Sequence, residues 1–390
     1  METNVSNEIY DPLSDKWRFD DEGVVTITSE KEIETENAII EFKLKDLKLL
    51  RKKHIFWIRT IYKNKDHTGR KQETFGIWNP TYFIFVLRCL NLSNKNLLEH
   101  YLHQCRDYLK RRIANDGGFA GFKYDNSHLV TNYAALTAIA LIGRKDAYQL
   151  VNRQKLYNLL LSLKLPNGAF RVSKGMEHDI RSTYSAILIA YMYNILTPEL
   201  THNVEQFVLS CQNYDGAFSP LPGCESHGGY VSCAVGIMSI LGKLDLINMA
   251  ALIRWISDRQ MAFSGGFQGR PNKLVDSCYS WWIGSSCRII TEHLGINPFW
   301  NETAMTDYII KSAQYLKGGF LDHRPSLPDP YHTMLALGGL CLCGLKKIPE
   351  EDENDPFEFP ELSPLICCPK YLVNRLFNYF HAQPPIQSNL

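Results

Sequence analysis

The chain has 390 residues, of which 45% are hydrophobic and 12% aromatic. That is ample for a large core, built either as two domains or as one repetitive architecture. The formal net charge of +1 provides no electrostatic footprint for nucleic acid or for a membrane surface, so we expect neither as a partner.

The lack of a recognisable targeting segment and the pattern of cysteines both favour a cytoplasmic protein. No apolar run approaches the roughly 20 residues that span a bilayer, and the polar start METNVSNEIY is not typical of a signal peptide. The eleven cysteines are odd in number and form no CxxC pair. Reduced thiols in a cytoplasmic protein fit this pattern better than a disulfide framework.

Residues 1–42 carry twelve Asp or Glu against three Lys or Arg and lack sustained periodicity. This composition is typical of a poorly ordered acidic extension, or of a segment that contacts a partner. One alternating, strand-like stretch, GVVTIT (23–28), stands isolated within it. A basic helix is predicted next, from about residue 46 to residue 62.

Beyond this point a Gly-Phe motif recurs five times, and its phenylalanines are spaced by 51, 48, 49 and 53 residues. A period near fifty indicates a repeated supersecondary unit. A weaker sixth copy, QETFGIWNP, occupies residues 72–80. The five motifs are NDGGFAG (115–121), PNGAFRV (166–172), YDGAFSP (214–220), SGGFQGR (264–270) and KGGFLDH (317–323).

Each motif leads into an apolar helix, such as TNYAALTAIALIG (131–143), and then into an amphipathic one, such as LINMAALIRWISDRQ (246–260). Buried and amphipathic helices in about six alternating pairs predict an all-α fold, an α/α barrel of two concentric rings. The barrel is predicted to span residues 43–390. Within it we expect an acidic, Pro-rich surface loop at 349–364 and a packed helix at 370–380.

The repeat also places one polar residue nine positions after each of the five phenylalanines. In a ring of parallel inner helices these positions face one end of the same cavity, so they are expected to mark the mouth of a site. Aspartate at a helix start is also an ordinary N-cap, which leaves a structural interpretation open. The five residues are His128, Asp179, His227, Asp276 and Asp329.

Asp276, Cys278 and His332 belong to adjacent inner helices at nearly the same height in the repeat. Carboxylate, thiolate and imidazole are all zinc ligands, and three protein ligands leave the open position that catalytic zinc requires. A capping aspartate, a buried thiol and a hydrogen-bonded histidine would account for the same residues without a metal.

A second cluster is cationic and lies in the same helix-start loops. It suits a phosphate or diphosphate group, because helix N-termini also favour anions. A basic rim paired with acidic neighbours is the alternative. The members are His227, Arg270, Lys273 and Arg181, with Tyr184, Tyr230 and Tyr279 nearby.

Aromatic side chains of the inner helices can line a deep apolar pocket, although aromatics at helical spacing more often belong to the core. Together with the first two clusters they predict a reaction. A substrate thiol, held as thiolate by zinc, attacks a carbon that carries a diphosphate, and the cations meet the developing charge. The aromatic residues are Tyr133, Tyr184, Trp281, Trp282, Phe83 and Phe85.

Four motifs resemble the β subunit of protein prenyltransferases: GRPNKLVDSCYSWW (269–282), ESHGGY (225–230), DIRSTY (179–184) and PYHT (330–333). The resemblance covers roughly residues 46–345. It implies an α/α barrel that works only with a helical-repeat α subunit, which brings a lysine near the diphosphate.

The resemblance also implies roles for individual residues. Asp276, Cys278 and His332 match the zinc ligands of the family, and with Lys273 and Tyr279 they are the expected catalytic set. The diphosphate pocket is expected at His227, Arg270, Lys273 and Tyr279, and the isoprenoid tunnel at Arg181, Tyr184, Trp282, Tyr133 and Thr81.

Thr81 stands where farnesyl enzymes of the family carry a tryptophan that closes the tunnel. A threonine leaves space for one more isoprene unit. The resemblance therefore implies a type I enzyme, which transfers a geranylgeranyl group from geranylgeranyl diphosphate to the cysteine of C-terminal CaaX sequences, such as those of Rho-type small GTPases. A farnesyltransferase and a Rab-type (type II) β subunit remain alternatives.

Asp322 departs from the mammalian type I pattern and matches the aspartate that supports Mg²⁺ in farnesyl enzymes. We therefore expect a possible Mg²⁺ requirement here, the alternative being a loop aspartate paired with Arg324 or His323. For the peptide, the resemblance points to His128, Thr81, Phe85 and Tyr331 as pocket walls, with Tyr331 closer to the farnesyl pattern.

Two other classes can use an α/α barrel. Terpene cyclases that protonate a polyene would need a DxDD- or DCTAE-like motif, and neither string occurs. A non-enzymatic toroid that binds lipid or docks proteins would have no reason to retain all three zinc ligands, so zinc content separates it from an enzyme.

Overall fold

The computed structural model describes residues 27–43, 47–65, 76–122, 126–344, 347–349 and 357–386. Short 3₁₀ helices occupy Gly76–Trp78 and Leu244–Leu246, and a π-helix occupies Tyr308–Ala313. The α-helices are α1 (Ile27–Lys43), α2 (Arg51–Lys65), α3 (Asn79–Cys89), α4 (Lys95–Lys110), α5 (Leu129–Ile142), α6 (Lys145–Tyr148), α7 (Arg153–Leu163), α8 (Ile180–Met192), α9 (Pro198–Thr201), α10 (Val204–Ser210), α11 (Gly228–Ile240), α12 (Met249–Ser257), α13 (Tyr279–Leu294), α14 (Glu302–Asp307), α15 (Pro330–Leu342) and α16 (Lys370–His381).

The six inner helices form a closed ring. In chain order α3, α5, α8, α11, α13 and α15 each pack against the next, and α15 packs back against α3. Inner helices are buried nearly all round, as in α5, where eleven of fourteen residues are buried. Outer helices bury a single stripe, as in α4, where the buried residues are Tyr101, Leu102, Cys105 and Leu109. The predicted α/α barrel is confirmed.

The Gly-Phe motifs are tight turns that lock each repeat to the next outer helix. All five phenylalanines are fully buried. Gly168 has φ 97°, and a Cβ there would lie 2.0 Å from the Asn203 carbonyl oxygen, at the start of α10. Gly318 has φ 106° and would place a Cβ 2.5 Å from the Lys53 oxygen in α2. Only glycine fits both the conformation and the approach, and the last turn thereby joins the first outer helix.

A buried histidine completes this seam between the first and last repeats. The Nδ1 atom of His54 accepts the Gly319 N–H at 2.9 Å, so its Nε2 carries the proton and donates to Gln314 Oε1 at 2.8 Å. The ring also stacks on Phe320 at 4.5 Å between centroids. Burial lowers the pKa of His54 to about 4, although its bond to Gln314 opposes the change. The seam is therefore built around a neutral imidazole.

The expectation of a poorly ordered arm over residues 1–42 is corrected for its second half. Residues 27–43 form α1, which packs against the π-helix and buries Thr35 and Ile39, four residues apart. Two buried positions one turn apart are too few to give a periodic signal. Residues 23–26 of the strand-like stretch lie outside the described residues. The division at residue 43 stays a prediction.

The other boundaries shift slightly. The basic helix predicted over 46–62 is α2, Arg51–Lys65. Of the weak sixth motif, residues 72–75 lie outside the described part, and 76–78 form a 3₁₀ turn that leads into α3. The helix predicted at 370–380 is α16.

The described residues contain three antiparallel pairs of short strands. One pair lies directly before α8, and the other two lie in the C-terminal part of the chain. The loop predicted as solvated over 349–364 is described at 349 and from 357 onward, and there Leu362 and Ser363 are buried, which corrects the expectation. Both residues belong to β5, which pairs with β6, and all four residues of β6 are buried. The pairs are β1 (Phe170–Arg171) with β2 (His178–Asp179), β3 (Lys347–Ile348) with β4 (Phe357–Glu358), and β5 (Leu362–Ser363) with β6 (Ile366–Pro369).

The segment 358–365 lies beside the C-terminal ends of α11, α13 and α15, where it borders two clefts of about 480 and 460 Å³. The opposite, N-terminal ends of the inner helices carry the five polar residues of the repeat. Across the described residues, no helix has both the length and the apolar character needed to cross a membrane.

Candidate active site

The five repeat-derived residues lie at or just before the starts of inner helices. Four of them make the hydrogen bonds of N-caps, whereas Asp276 lies two residues before Cys278, the N-cap of α13. Asp179 accepts the Ser182 N–H at 2.8 Å, and Asp329 accepts the His332 N–H at 2.9 Å. The histidines also cap: His128 Nδ1 accepts from Val130 at 3.2 Å, and His227 Nδ1 accepts from Gly229 at 3.1 Å. The structural interpretation is therefore correct for these four capping residues, and any chemistry is added to it.

Three candidate metal ligands converge where α13 and α15 begin. Asp276 and Cys278 precede α13, His332 is the third residue of α15, and their ligand atoms all lie within 4.8 Å of one another. Asp276 Oδ1 is 3.4 Å from His332 Nε2 and also accepts the Cys278 N–H at 2.8 Å. A local turn thus holds the carboxylate and the thiol on one side, facing the imidazole from the next helix.

Asp329 fixes the histidine from behind. Its Oδ2 lies 2.5 Å from His332 Nδ1, while its Oδ1 caps the helix. A carboxylate on the second ring nitrogen is the usual arrangement behind a histidine that ligates metal through the first. Nε2, which faces Asp276, is then the nitrogen available for a metal.

Negative charge dominates the electrostatics of the three residues. Burial alone would lower the pKa of His332, but its bonds to Asp276 and Asp329 outweigh it and raise the pKa to about 10. Burial and the neighbouring Asp276 carboxylate raise the pKa of the Cys278 thiol well above its usual value. Both shifts have the same cause, which is negative charge gathered in a buried place, and such a place favours a cation.

This donor set fits zinc. One carboxylate, one sulfur and one imidazole nitrogen are the ligand types that zinc takes, and a set of three is the count found in catalytic sites. A cation would turn the repulsion between Asp276 and an ionised Cys278 into two attractions. Among the described residues, this is the single group of three or more His, Cys, Asp or Glu close enough to hold one ion.

A tyrosine–histidine pair stands beside the three ligands. Tyr279 OH lies 3.1 Å from His227 Nε2. Because His227 Nδ1 accepts the Gly229 N–H, the neutral ring carries its proton on Nε2 and donates it to the phenol oxygen. Burial and Arg270 lower the pKa of His227, which favours this neutral form. The Tyr279 proton is then left to point away from the histidine.

A glycine makes room for this tyrosine. A Cβ on Gly269 would lie 2.1 Å from Cζ of Tyr279, so only glycine lets the ring lie across that backbone. The sequence did not single out this residue. A glycine directly before the basic stretch at 270–273 was the available signal.

The cations predicted for the same cluster are rim residues. Arg270 pairs with Glu225, and Arg181 pairs with Asp179 at 3.0 Å with half of its side chain exposed. Lys273 is exposed in the loop before Asp276. The alternative of a basic rim with acidic neighbours is thus correct for the two arginines, whose ion pairs an anion would have to share or break.

The predicted aromatic residues divide into a group with polar contacts and a group packed in the core. In the first group, the ring centroids of Tyr133 and Tyr184 are 6.2 Å apart, and Tyr184 donates to the Leu365 carbonyl. In the same group, Trp282 Nε1 donates to Tyr331 OH at 2.9 Å. Phe83 instead stacks on Tyr62 of α2 at 3.9 Å, and Trp281 packs against Gly338. For Phe83 and Trp281 the core interpretation is therefore the correct one, because their rings fill the contacts between helices.

The remaining predicted residues are placed as follows. Thr81 is fully buried and its hydroxyl donates to the Ala134 carbonyl at 2.8 Å. Phe85 is also fully buried, and His128 is half-buried at the start of α5. Their roles toward an isoprenoid or a peptide stay predictions.

Asp322 pairs with His323 at 3.0 Å, as the loop-aspartate alternative anticipates. Burial opposes ionisation, but bonds from His323 and Ser326 hold the pKa of this carboxyl far below its usual range. Its backbone oxygen accepts the Ser277 N–H at 2.8 Å, so the loop abuts the ligand turn. The carboxylate is charged and close to the site, and its role toward Mg²⁺ stays a prediction.

The chain matches a known protein family over most of its length. Residues 49–368 match the family described as the prenyltransferase alpha-alpha toroid domain. A relative from Schizosaccharomyces pombe, the β subunit of protein farnesyltransferase, is 36% identical over 290 residues, which cover 68% of this chain and 75% of the relative. The β subunit of geranylgeranyl transferase type-1 from Arabidopsis thaliana is 27% identical over 350 residues, covering 81% of this chain and 89% of that protein.

A solved structure agrees with the fold. The Candida albicans protein geranylgeranyltransferase-I complexed with GGPP superimposes with a TM-score of 0.73 at 23% identity, covering 85% of this chain and 99% of that one. At this identity the likeness establishes the toroid and leaves the substrate open.

Proposed function

This chain belongs to the β-subunit family of protein prenyltransferases, and on that premise we propose that it catalyses zinc-dependent transfer of a geranylgeranyl group to the cysteine of CaaX-ending proteins. The observation that carries the proposal is the convergence of Asp276, Cys278 and His332 within 4.8 Å, next to the Tyr279–His227 pair. This arrangement would place a metal beside an anion-binding pair, as an alkyl transfer from a diphosphate requires.

Asp276, Cys278 and His332 would hold the zinc, with Asp329 orienting the histidine. When bound, zinc supplies a positive centre with an open position that favours the thiolate form of a substrate cysteine at neutral pH. The residues of the chain fix where that sulfur lies relative to the diphosphate.

The transfer forms one bond and breaks one. The substrate sulfur bonds to the first carbon of the isoprenoid while the bond from that carbon to the diphosphate oxygen breaks, and the thiol proton is lost to solvent. Negative charge grows on the leaving oxygens, and donors already aimed at them stabilise it. Tyr279 can donate because His227 occupies its oxygen, and Arg270 and Lys273 add positive charge.

The geranylgeranyl donor is supported by Thr81. Its small side chain is buried on inner helix α3 with its hydroxyl bonded to α5. A tryptophan at this position would take up volume that a longer donor could otherwise use. The farnesyl donor is a second candidate, favoured by the higher identity to farnesyltransferase β subunits and by the farnesyl-like Tyr331 and Asp322. Asp322 supports a possible Mg²⁺ contribution under either donor.

The proposal includes an α subunit as obligatory partner and a cytoplasmic location, both implied by the family. The test is to assay the α/β heterodimer with labelled geranylgeranyl and farnesyl diphosphate and with peptides ending in Leu or Met. We expect transfer that a zinc chelator abolishes and zinc restores. A heterodimer that binds no zinc would contradict the function and favour an inactive lipid-binding toroid.

Substitutions at Thr81 test which length of isoprenoid donor the enzyme prefers. Thr81→Trp should shift preference toward the farnesyl donor by at least about tenfold, since an indole removes space for one isoprene unit. Thr81→Val is the matched control, because it keeps the size and removes only the hydroxyl. Unchanged preference in Thr81→Trp would contradict the geranylgeranyl assignment and leave the zinc chemistry intact.

A further inference from the structure

Two thiols face each other where the ring of inner helices closes. Cys89 is the last residue of α3, Cys341 lies one residue before the end of α15, and their sulfur atoms are 3.5 Å apart. The other neighbours in the ring follow one another along the chain, whereas these two residues are 252 positions apart. The seam between α3 and α15 therefore has no short covalent connection, and noncovalent contacts hold it together.

The surroundings hold one thiol in place and leave the other at the edge of a cleft. Cys89 is fully buried, and beside it Arg88 donates to the Leu141 and Ile142 carbonyls at 3.2 and 3.0 Å, which ties the end of α3 to α5. Cys341 is partly exposed and borders the cleft of about 480 Å³. A small molecule that enters this cleft therefore meets Cys341, with Cys89 behind it.

Two other cysteines near the seam make different contacts. Cys343 Sγ donates to the Gly339 carbonyl at 3.4 Å, so this thiol turns back onto its own helix. Cys367 of β6 is buried beside α15, since a Cβ on Gly338 would lie 2.9 Å from its sulfur. The contact between two sulfur atoms is made across the seam, by the residues that end α3 and α15.

We propose that Cys89 and Cys341 form a reversible disulfide that closes the barrel covalently under oxidising conditions. A disulfide holds its sulfurs about 2.05 Å apart, so the two atoms have to approach by about 1.5 Å, which rotation of the side chains can supply. The oxidant is a low-molecular-weight disulfide. Cys341 attacks it and releases one thiol, and Cys89 then attacks the Cys341 sulfur and releases the second. Two protein thiols are oxidised, one small disulfide is reduced to two thiols, and the two protons pass to those thiols.

The bridge stabilises the ring and stays away from the candidate active site. It joins residues 252 positions apart, so it removes much of the conformational freedom of the unfolded chain. His332 lies nine residues before Cys341, about 13 Å along α15, at the opposite end of the helix. Burial and the neighbouring Cys89 thiol raise the pKa of Cys341 well above its usual value, so the first attack is slow.

The test incubates the full-length chain with oxidised glutathione and maps its disulfides by mass spectrometry. We expect a linked pair of peptides that contain Cys89 and Cys341. The rate at which heat removes the helical circular dichroism should fall by about tenfold or more, because the closed ring opens less readily. A reducing agent should reverse both effects. Cys341→Ala should abolish them, and Cys343→Ala, two residues further along, is the matched control that should keep them.

The peptide map is made on the unsubstituted chain, so a variant that fails to fold does not decide the result. The proposal is overturned if Cys341 takes up glutathione without linking to Cys89, if it links to Cys367 instead, or if the expected link leaves the unfolding rate unchanged. It is also overturned if the exposed Cys224 is modified while Cys341 stays a free thiol. None of these measurements uses zinc or prenyl transfer, so their outcome is independent of the proposed function.

Discussion

The starts of α8 and α15 are equivalent in the repeat, and the difference that matters for a metal lies at the third helical residue. Each begins with an aspartate, Asp179 or Asp329, that accepts the N–H of the third helical residue. In α8 that residue is Ser182, which bonds back to the Asp179 N–H and completes a capping box. In α15 it is His332, whose ring bonds to the second oxygen of Asp329.

The difference shows how a structural position can carry chemistry. The cap holds the aspartate in place in both helices, whether or not a metal site is present. Replacing serine by histidine keeps the cap and extends a second nitrogen toward Asp276, 3.4 Å away on the neighbouring helix start. The ligand His332 therefore uses a capped helix start of a kind that the repeat also supplies at α5, α8 and α11.

The largest effect is expected from His332→Ser, which gives the start of α15 the serine found in α8. The cap should survive, but one ligand in three is lost. A structural zinc site is worth about 10–16 kcal/mol over four ligands, so about 3 kcal/mol per ligand predicts a loss of zinc affinity of about 100-fold or more. Zinc content after dialysis and the rate of prenyl transfer measure it.

Cys224→Ser is the control for that experiment, because it changes an exposed thiol that is not among the ligands. It should keep zinc and transfer at wild-type levels. Zinc retained at full affinity by His332→Ser would show that the histidine only fills space, and the comparison between the two helices would lose its meaning.

A second prediction contrasts His332 with His54, whose ring meets neutral partners instead of carboxylates. The pKa of His54 is lowered to about 4 in the folded chain, against 6.5 when unfolded. The unfolded chain therefore binds more protons between these values, so stability is fully present above pH 6.5 and is lost as the pH falls toward 4. At 1.4 kcal/mol per pH unit, the contribution is about 3 kcal/mol.

The free energy of unfolding, measured by denaturant between pH 7 and pH 4 in the wild type and in His54→Asn, isolates this histidine. The difference between the two proteins should shrink as the pH falls. Parallel curves would show that the ring is not held neutral in the folded state.

These regions also show what the sequence could predict. The fifty-residue period and the two classes of helix were enough for the barrel, since both are local patterns. The repeat also placed Asp276, Cys278 and His332 together. It placed Asp329 at the mouth of the site or as an N-cap but gave it no contact with the His332 ring, because that bond depends on side-chain rotamers that a spacing rule does not contain.

Contacts between residues far apart in the chain could not be predicted either, because local patterns do not encode them. His54 meets Gln314, 260 positions later, and no local pattern marks that pair. For Arg270 the sequence left open a diphosphate contact or an acidic neighbour without naming that neighbour, which is Glu225 from the preceding helix-start loop. In α1 only Thr35 and Ile39 are known to be buried, too few to produce periodicity.

A third prediction concerns the carboxylate behind the ligand. Asp329→Asn should keep the cap, because asparagine caps as well as aspartate, but it removes the charge that faces His332 Nδ1. Losing such a partner typically costs 10–100-fold in metal affinity. Competition with a chelator measures the zinc affinity of the variant, and a change below threefold would mean that the cap alone explains Asp329.

The smallest effect is expected from the same substitution at the equivalent position, Asp179→Asn, where no metal ligand faces the aspartate. The cap is kept, and the lost ion pair with the half-exposed Arg181 is worth at most about 1 kcal/mol, so unfolding should change little and zinc affinity should not change. Asp179→Ala, which removes the cap as well, should destabilise the chain by about 1 kcal/mol more and still leave zinc binding intact. If either variant at 179 weakened zinc binding as much as Asp329→Asn does, the effect at 329 would have to be assigned to the helix start in general, and the histidine bond would explain none of it.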